Sequence, residues 1–453
     1  MLDTPQQSRS SGGGPNAGVV VPAALLALCA ALYFVSPMLA VAGAAGALIF
    51  LLAYRKPAHW LAVAFAAGIL PQSLLGDSSS VFVAFSDVMA ALMVVVLVFY
   101  VASGRLRPTL GPLRLPLLLF LAVALLASVA NWRGSDAVLS LGRYVEFTLC
   151  TTLIFAAFIK TPTEMERCFL LLLVAEALLG LAAVVGFAAG AKNGLYILGM
   201  HKNAIGPSLA CGVVIGLVYL RSSDIAARFR PWILGAFVLS LMGTILSLSR
   251  GAWTAAVVGC LLVLALRRDL RGLAIMAALA VPIFAVCWIM LPSDSAEYAG
   301  NLSLHANTMQ IRLDHQAAAL DLWKANPFLG TGVGLRKEAD PENVYVLTLA
   351  EMGAVGLAAF LFLLGSVYAL LWRLCRSLPQ RALRSSQTGR ILLCCAGVFT
   401  VPTVHGALDA YWRRGVVFLA WAAAGLCVSM FFYLKRQKAT SLQPVEGIPT
   451  RAT

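Results

Sequence analysis

Long apolar runs separated by short polar breaks carry the chain from residue 18 to residue 434. The runs lie near 18–34, 37–54, 59–75, 82–103, 112–131, 138–159, 168–190, 203–220, 231–248, 251–266, 272–291, 342–372, 390–408 and 415–434. A helix that crosses a bilayer needs about 20 predominantly apolar residues. In hydrocarbon the backbone must satisfy its own hydrogen bonds, which leaves helices or closed barrels, and runs this long exclude barrel strands. The expected fold is therefore all-α: a polytopic helical membrane protein with about 14 transmembrane helices, or about 12 if the weakest runs do not span. Those weakest runs are the first pair and the short stretch 251–266.

The breaks divide the chain. Residues 1–17 are polar and Gly/Ser-rich and are expected to be a disordered N-terminus without the form of a cleaved signal. Residues 18–291 form a first membrane block, 292–341 one long polar segment, 342–434 a second membrane block and 435–453 a polar tail. Within 292–341, Ala317, Ala318, Leu320, Leu322 and Trp323 repeat at helical spacing, from a start near Met309 or Ile311. Asn326-Pro327 should break that helix, and Gly330-Thr331-Gly332-Val333-Gly334 should form a tight turn. Asp340 reads as an N-cap and Pro341 as the first residue of the next helix.

Composition agrees with the hydropathy pattern. Apolar residues make up 60% of the chain and charged residues 12%, with a mean hydropathy of +0.86, where soluble domains carry about 25% charged residues. A water-soluble enzyme, a disordered protein and a free nucleic-acid binder are all excluded. The net charge of +14 becomes a question of sidedness, because Lys and Arg stay in cytoplasmic loops. One set of alternate loops holds Arg55 and Lys56; Arg105, Arg107 and Arg114; Arg221, Arg228 and Arg230; Arg267, Arg268 and Arg271; Arg373, Arg376, Arg381, Arg384 and Arg390; then Lys435, Arg436 and Lys438. These loops and both termini are expected on the cytoplasmic face, with 292–341 on the outer face. The ten cysteines lie within or beside apolar runs without metal-ligand spacing and read as small hydrophobes.

Polar residues at the outer ends of spans are the candidates for chemistry. Arg250, in Ser249-Arg250-Gly251-Ala252, occupies an outer hairpin where the charge rule disfavours arginine. It suits a bidentate grip on phosphate, with Gly251 permitting close approach, or it snorkels to lipid headgroups. Arg312 is placed as a second arm on the same anion, or as a solvated charge. Arg143 lies inside a span, where it either binds substrate or pairs with Glu146. His201, Lys202 and Asn203 precede a span and fit phosphate or sugar hydroxyls, unless Asn203 simply caps the helix. Glu342 is a candidate general base for a sugar hydroxyl, although acidic residues also favour helix starts on dipole grounds. His405 and Asp409 share a helix face ahead of Arg413 and Arg414 and form a candidate site edge, or polar packing at a helix end. Glu338, Asp340 and Glu342 are closely spaced, but no histidine joins them; neither a metal nor a cofactor is expected.

Several of these residues fall in recognisable order. Arg312, Trp323, Asn326-Pro327-Phe328-Leu329-Gly330-Thr331-Gly332-Val333-Gly334, Glu342-Asn343-Val344-Tyr345 and Leu349-Ala350-Glu351-Met352-Gly353-Ala354-Val355-Gly356 resemble the signature loop of the O-antigen ligase and polysaccharide polymerase family. Ser249-Arg250-Gly251-Ala252 resembles that family's arginine hairpin, and His201-Lys202-Asn203-Ala204-Ile205-Gly206 is similar to an element of its exopolysaccharide polymerase branch. Where the family usually has His-Asn, with a catalytic histidine in the ligases, this chain has Glu342-Asn343. A glutamate also accepts a proton; the exchange equally fits a polymerase branch or a base elsewhere in the site.

The resemblance implies a multi-pass glycosyltransferase of the bacterial inner membrane, with a periplasmic active face and 292–341 as its catalytic loop. The implied donor is a glycan on undecaprenyl diphosphate. The implied acceptor is a sugar hydroxyl on lipid A core or on a growing polysaccharide, with membrane lipids as the remaining partners. Arg250, Arg312 and Glu342 would be catalytic; His201, Lys202, Asn203, Arg143, Asn343, His405, Asp409, Arg413 and Arg414 would bind substrate. The alternative is a secondary transporter or a flippase for a lipid-linked sugar, whose site would lie near the bilayer midplane.

The arginine bias sets a first test. In a background without native cysteines, an impermeant thiol reagent applied from outside should label a cysteine placed at Ser295 and not one placed at Ser386. The reverse pattern would invert the topology.

Overall fold

The computed structural model describes residues 48–69, 85–189, 196–197, 200–272, 274, 275, 278, 302–335, 340–409 and 415–441. The helices are α1 (Pro57–Ala67), α2 (Phe85–Ala102), α3 (Arg114–Ala130), α4 (Ser135–Tyr144), α5 (Thr151–Phe158), α6 (Pro162–Ala188), α7 (Lys202–Leu220), α8 (Arg230–Leu246), α9 (Arg250–Arg267), α10 (Leu302–Ala325), α11 (Val344–Ser377), α12 (Gln380–Ser385), α13 (Gln387–His405) and α14 (Val416–Ser441). Two-residue strands β1 (Tyr196–Ile197) and β2 (Met200–His201) pair antiparallel just before α7. Among the described residues nine helices are long and apolar enough to cross a membrane, and α1 and the apolar part of α2 are shorter. The nine coincide with the expected spans from 112–131 to 251–266 and from 342–372 to 415–434, including the short 251–266. Residues 1–17 and 18–34, and most of 37–54 and 272–291, lie outside the described residues.

Local chemistry explains where several helices begin. Thr161 and Glu164 form a reciprocal capping box with Pro162 at the first position of α6. Ser249 caps α9 by accepting from the Ala252 N–H, and Ser386 caps α13 by accepting from Gly389. Close packing follows from small residues. The Cα of Gly180 on α6 lies 2.8 Å from where a side chain on Gly243 of α8 would begin, so neither position has room for one. Between α6 and α7, Glu176 is fully buried and accepts a hydrogen bond from Ser208 Oγ at 2.7 Å. Described cysteines are free thiols, and all but Cys150 are buried, as expected of small hydrophobes.

Charge is sorted to the two ends of the bundle. At one end Arg390, with its side chain 6% exposed, pairs with Glu166 at 2.6 Å and with Asp224, joining α6, the α7–α8 connection and α13. Arg221 pairs with Asp269 at 2.6 Å. Burial alone would raise the Asp269 carboxyl, but the Gly272 N–H and the Arg221 guanidinium outweigh it and hold the group below the usual carboxylate range. Arg384 donates to the carbonyls of Arg267 and Arg268, and Arg267 donates back to that of Arg384. Three of the loops expected on one face by arginine counting, those carrying Arg221, Arg267 and Arg384, therefore meet at one end of the bundle.

At the other end, α11 is broken at Gly353 (φ 67°, ψ −169°). The break deprives the Ala350 and Glu351 carbonyls of their helical donors at 354 and 355. The glycine-rich turn supplies replacements: Thr331 N–H donates to Ala350 O at 2.9 Å and Gly332 N–H to Glu351 O at 3.0 Å. The released Ala354 and Val355 N–H groups donate to Pro327 O (2.8 Å) and Phe328 O (3.3 Å). Gly330, Gly332 and Gly334 hold the turn at φ of 68°, 92° and 109°, a region that favours glycine. The buried Glu351 carboxylate completes the joint. It accepts from Gly334 N–H and Leu335 N–H at 2.9 Å each and from Tyr144 Oη at 2.6 Å. Asn131 and Arg133, before α4, donate to the carbonyls of Gly330 and Thr331.

The structure also corrects two expected helix boundaries. α10 begins at Leu302, so Arg312 lies in mid-helix and not at its start. α11 begins at Val344, with Asn343 as its N-cap, and not at Asp340-Pro341. The Asp340 carboxylate accepts the Glu342 N–H at 3.0 Å, and Glu342 then takes φ 49°. No helix runs through that conformation.

Replacing Glu351 tests the joint. Glu351→Ala leaves three buried donors without an acceptor, at about 1–3 kcal/mol for each group left unsatisfied. It should lower the thermal midpoint sharply and speed amide exchange across 330–335. Glu351→Gln keeps an acceptor for the two N–H groups and should lose much less.

Candidate active site

The end of the bundle opposite Arg390 brings five segments together. β2 and the start of α7 supply His201, Lys202 and Asn203. The His201 side chain caps α7, with Nδ1 accepting the Asn203 N–H at 3.3 Å; the cap expected of Asn203 is made two residues earlier. Asn203 Oδ1 accepts from Ser249 Oγ at 3.2 Å, which ties α7 to the hairpin that precedes α9. Behind this bond Gly206 packs against Ser247, Ser249 and Ala252, with no room for a side chain. Leu248, at φ 53°, and Glu342 are two of the three non-glycine residues at positive φ among the described residues, and both flank this site. Backbone held in such conformations is characteristic of functional sites.

Arg250 opens α9. It is exposed, and its guanidinium has no partner among the described residues. The helix N-terminus beneath it adds partial positive charge. Gly251 lies against the end of α13: a Cβ there would be 3.1 Å from His405 Cδ2, 3.3 Å from His405 Nε2 and 3.4 Å from Leu408 Cβ. Arg312 approaches the same turn from α10, its Nη1 lying 3.5 Å from Leu408 O. Arg312 and Gly251, the residue after Arg250, thus meet the same residue although 61 positions separate them in sequence.

Glu342 faces Arg312. Its Oε2 is 2.6 Å from Arg312 Nε, with the two side chains 31% and 32% exposed. The contact is an ion pair and not a well-aligned hydrogen bond. Next to it, Asn343 uses its side-chain oxygen to cap α11, accepting from Tyr345 and Val346 N–H, which leaves its amide N–H₂ for a ligand. Val344 N–H donates to Gly406 O at 2.8 Å, fixing the start of α11 against the end of α13. One connected arrangement therefore contains Asn203, Arg250, Arg312, Glu342 and Asn343.

Other candidates stand further off. His405 and Asp409 are 5% and 2% exposed, so they underlie the site and do not line its surface. Arg143 sits on α4 just before a π-helical turn (Val145–Cys150) that borders a cleft of about 640 Å³. From α4, Tyr144 bonds Glu351, while Asp136 and Ala137 pack against Gly334 of the glycine turn. Arg413, Arg414 and Glu338 lie outside the described residues. Hydropathy did not single out Tyr144 and Glu351 for the role they have; a carboxyl inside an apolar run was the available signal.

Taken together, this end of the bundle presents one exposed guanidinium, a second held by a carboxylate, and a helix N-terminus. Such a set can bind a diphosphate and take up a proton. No curated protein sequence matches the chain. Residues 235–361, from α8 to the middle of α11, match the family model described as O-antigen ligase. That stretch contains Arg250, Arg312, Glu342 and Asn343 and ends before His405. Among the described residues nine helices are long and apolar enough to cross a membrane, and together with this match over residues 235–361 they support a membrane enzyme of polysaccharide biosynthesis.

Proposed function

We propose that this protein transfers a glycan from undecaprenyl diphosphate to a sugar hydroxyl, on lipid A core or on a growing polysaccharide chain, at the periplasmic face of the bacterial inner membrane. The observation that carries this reading is that Arg312, paired with Glu342, reaches Leu408 on the same turn that packs against Gly251, the residue after Arg250.

The chemistry follows from charge. Breaking the bond between the anomeric carbon and the phosphate oxygen leaves its electron pair on the diphosphate. Guanidiniums fixed at a partly dry membrane edge stabilise that developing charge more than water does, and their fork matches phosphate oxygens. With two arginines in that role the leaving group requires no metal. The acceptor oxygen forms the new bond to the anomeric carbon as its proton passes to Glu342. The polyprenyl chain remains in the bilayer, which explains why Arg250 sits at the end of an apolar helix. Lys202 and the Asn343 amide are placed to meet sugar hydroxyls or phosphate from the flanks.

Arg250→Ala and Arg312→Ala should each abolish transfer in detergent while the protein stays folded and monodisperse. Lysine at either position should rescue poorly, because an ammonium cannot reproduce the bidentate fork. Full activity in both alanine variants would remove the diphosphate clamp. Activity that requires a sealed vesicle would instead favour transport.

A further inference from the structure

Two roles in the reaction fall on residues that occupy each other. Arg312 is needed on the diphosphate and Glu342 on the acceptor proton, yet Arg312 Nε lies 2.6 Å from Glu342 Oε2. We propose that this ion pair is a donor-operated latch: the diphosphate of the lipid-linked donor takes Arg312 from Glu342, and only then is the carboxylate free to act as base. The proposal rests on the glycan-transfer reading and adds an order of events to it.

The geometry suits an exchange. Both side chains are about one-third exposed, so an anion can reach the guanidinium without unpacking the core. Among the described residues Arg312 is otherwise held by a 3.5 Å contact to Leu408 O, and its helix packs against α11. Glu342 is less able to follow it. Its N–H is fixed to the Asp340 carboxylate, its φ is 49°, and the next residue caps α11. The moving partner is therefore the long arginine side chain, and the stationary one is the base. The Arg250 guanidinium, exposed and without a partner among the described residues, gives the diphosphate a first landing point next to Gly251, which packs against Leu408.

The exchange conserves charge pairing. Before donor binding, the guanidinium neutralises the carboxylate. Afterwards it neutralises a phosphate oxygen, and the carboxylate faces the acceptor hydroxyl. In the chemical step the hydroxyl proton moves to Glu342 Oε2, the acceptor oxygen bonds to the anomeric carbon, and the carbon–phosphate oxygen bond breaks onto the diphosphate. An enzyme without donor then holds no free base, and it does not activate an acceptor or water unproductively.

A latch makes an unusual demand: weakening the base should strengthen donor binding. When Arg312 is engaged elsewhere, apparent affinity falls by the fraction of molecules with the arginine available. Undecaprenyl diphosphate is the binding probe, titrated by calorimetry into the purified full chain in detergent. Exposed ion pairs contribute about 0.2–1 kcal/mol, so Glu342→Gln should bind the probe up to about 5-fold more tightly than wild type. The same variant should lose about 10²–10⁴ in transfer rate with native lipid-linked glycan. Glu342→Asn, whose side chain tolerates positive φ, provides a second neutral variant should glutamine disturb the turn. Asp314→Asn removes the same charge two residues from Arg312, outside the pair, and should leave affinity unchanged.

Tighter binding with lost turnover, confined to position 342, supports the latch. Unchanged or weaker binding in both 342 variants overturns it, as does equal tightening in Asp314→Asn, which would reduce the effect to general charge. Tighter binding with normal turnover overturns the base half of the proposal. A wild-type protein that neither binds undecaprenyl diphosphate nor transfers glycan fails the underlying reading instead.

Discussion

The end of this protein opposite Arg390 depends on a helix that breaks and is mended by another segment. At Gly353 the ladder of α11 is interrupted, and two carbonyls and two N–H groups lose their partners. In hydrocarbon each such group would cost several kcal/mol. The chain from Pro327 to Gly332 replaces the missing partners one for one, and Glu351 takes the next two N–H groups. Because the bonds to Ala350 and Glu351 are buried and cannot be exchanged for water, the turn has one position. α10 ends at Ala325, directly before it, so the same joint sets where α10, and with it Arg312, meets the bundle.

A second constraint is the cost of charge in the bilayer. It is met differently at the two ends. At the end carrying Arg390 the arginines are paired with carboxylates or spent on helix-end carbonyls, and the ionic contacts lock α6, α7 and α13 together. At the other end the pairing is incomplete by design of position: Arg250 is exposed, and Arg312 is held by one partly exposed carboxylate. Ion pairs that close one end favour rigidity there. Loosely held cations at the opposite end are what an incoming polyanion requires. The difference separates a structural end from a working one without any appeal to motif.

Much of this was legible in the chain. Apolar run length determined the all-α membrane fold and most of the described spans, because the bilayer imposes a minimum on each. Arginine alternation determined which loops share an end, and the structure groups Arg221, Arg267, Arg384 and Arg390 accordingly. The break at Asn326-Pro327 and the glycine turn followed from backbone chemistry alone. So did the interest of Arg250, since a cation on the disfavoured side of an apolar hairpin has few structural explanations.

Only the tertiary structure decided the pairings. No pattern in the sequence joins Arg312 to Glu342, Asn203 to Ser249 or Glu351 to Gly334, because each pair is made across elements whose approach is fixed by packing. The start of α11 moved from Asp340 to Val344 because a local hydrogen bond from Glu342 N–H to the Asp340 side chain competed with the helix and won. His405 and Asp409 look like site residues by spacing, yet packing against Gly251 places them beneath the surface. Hydropathy and propensity are properties of neighbours along the chain and therefore set elements and sides. Which side chain meets which is set by contacts between distant segments, and there the sequence alone is silent.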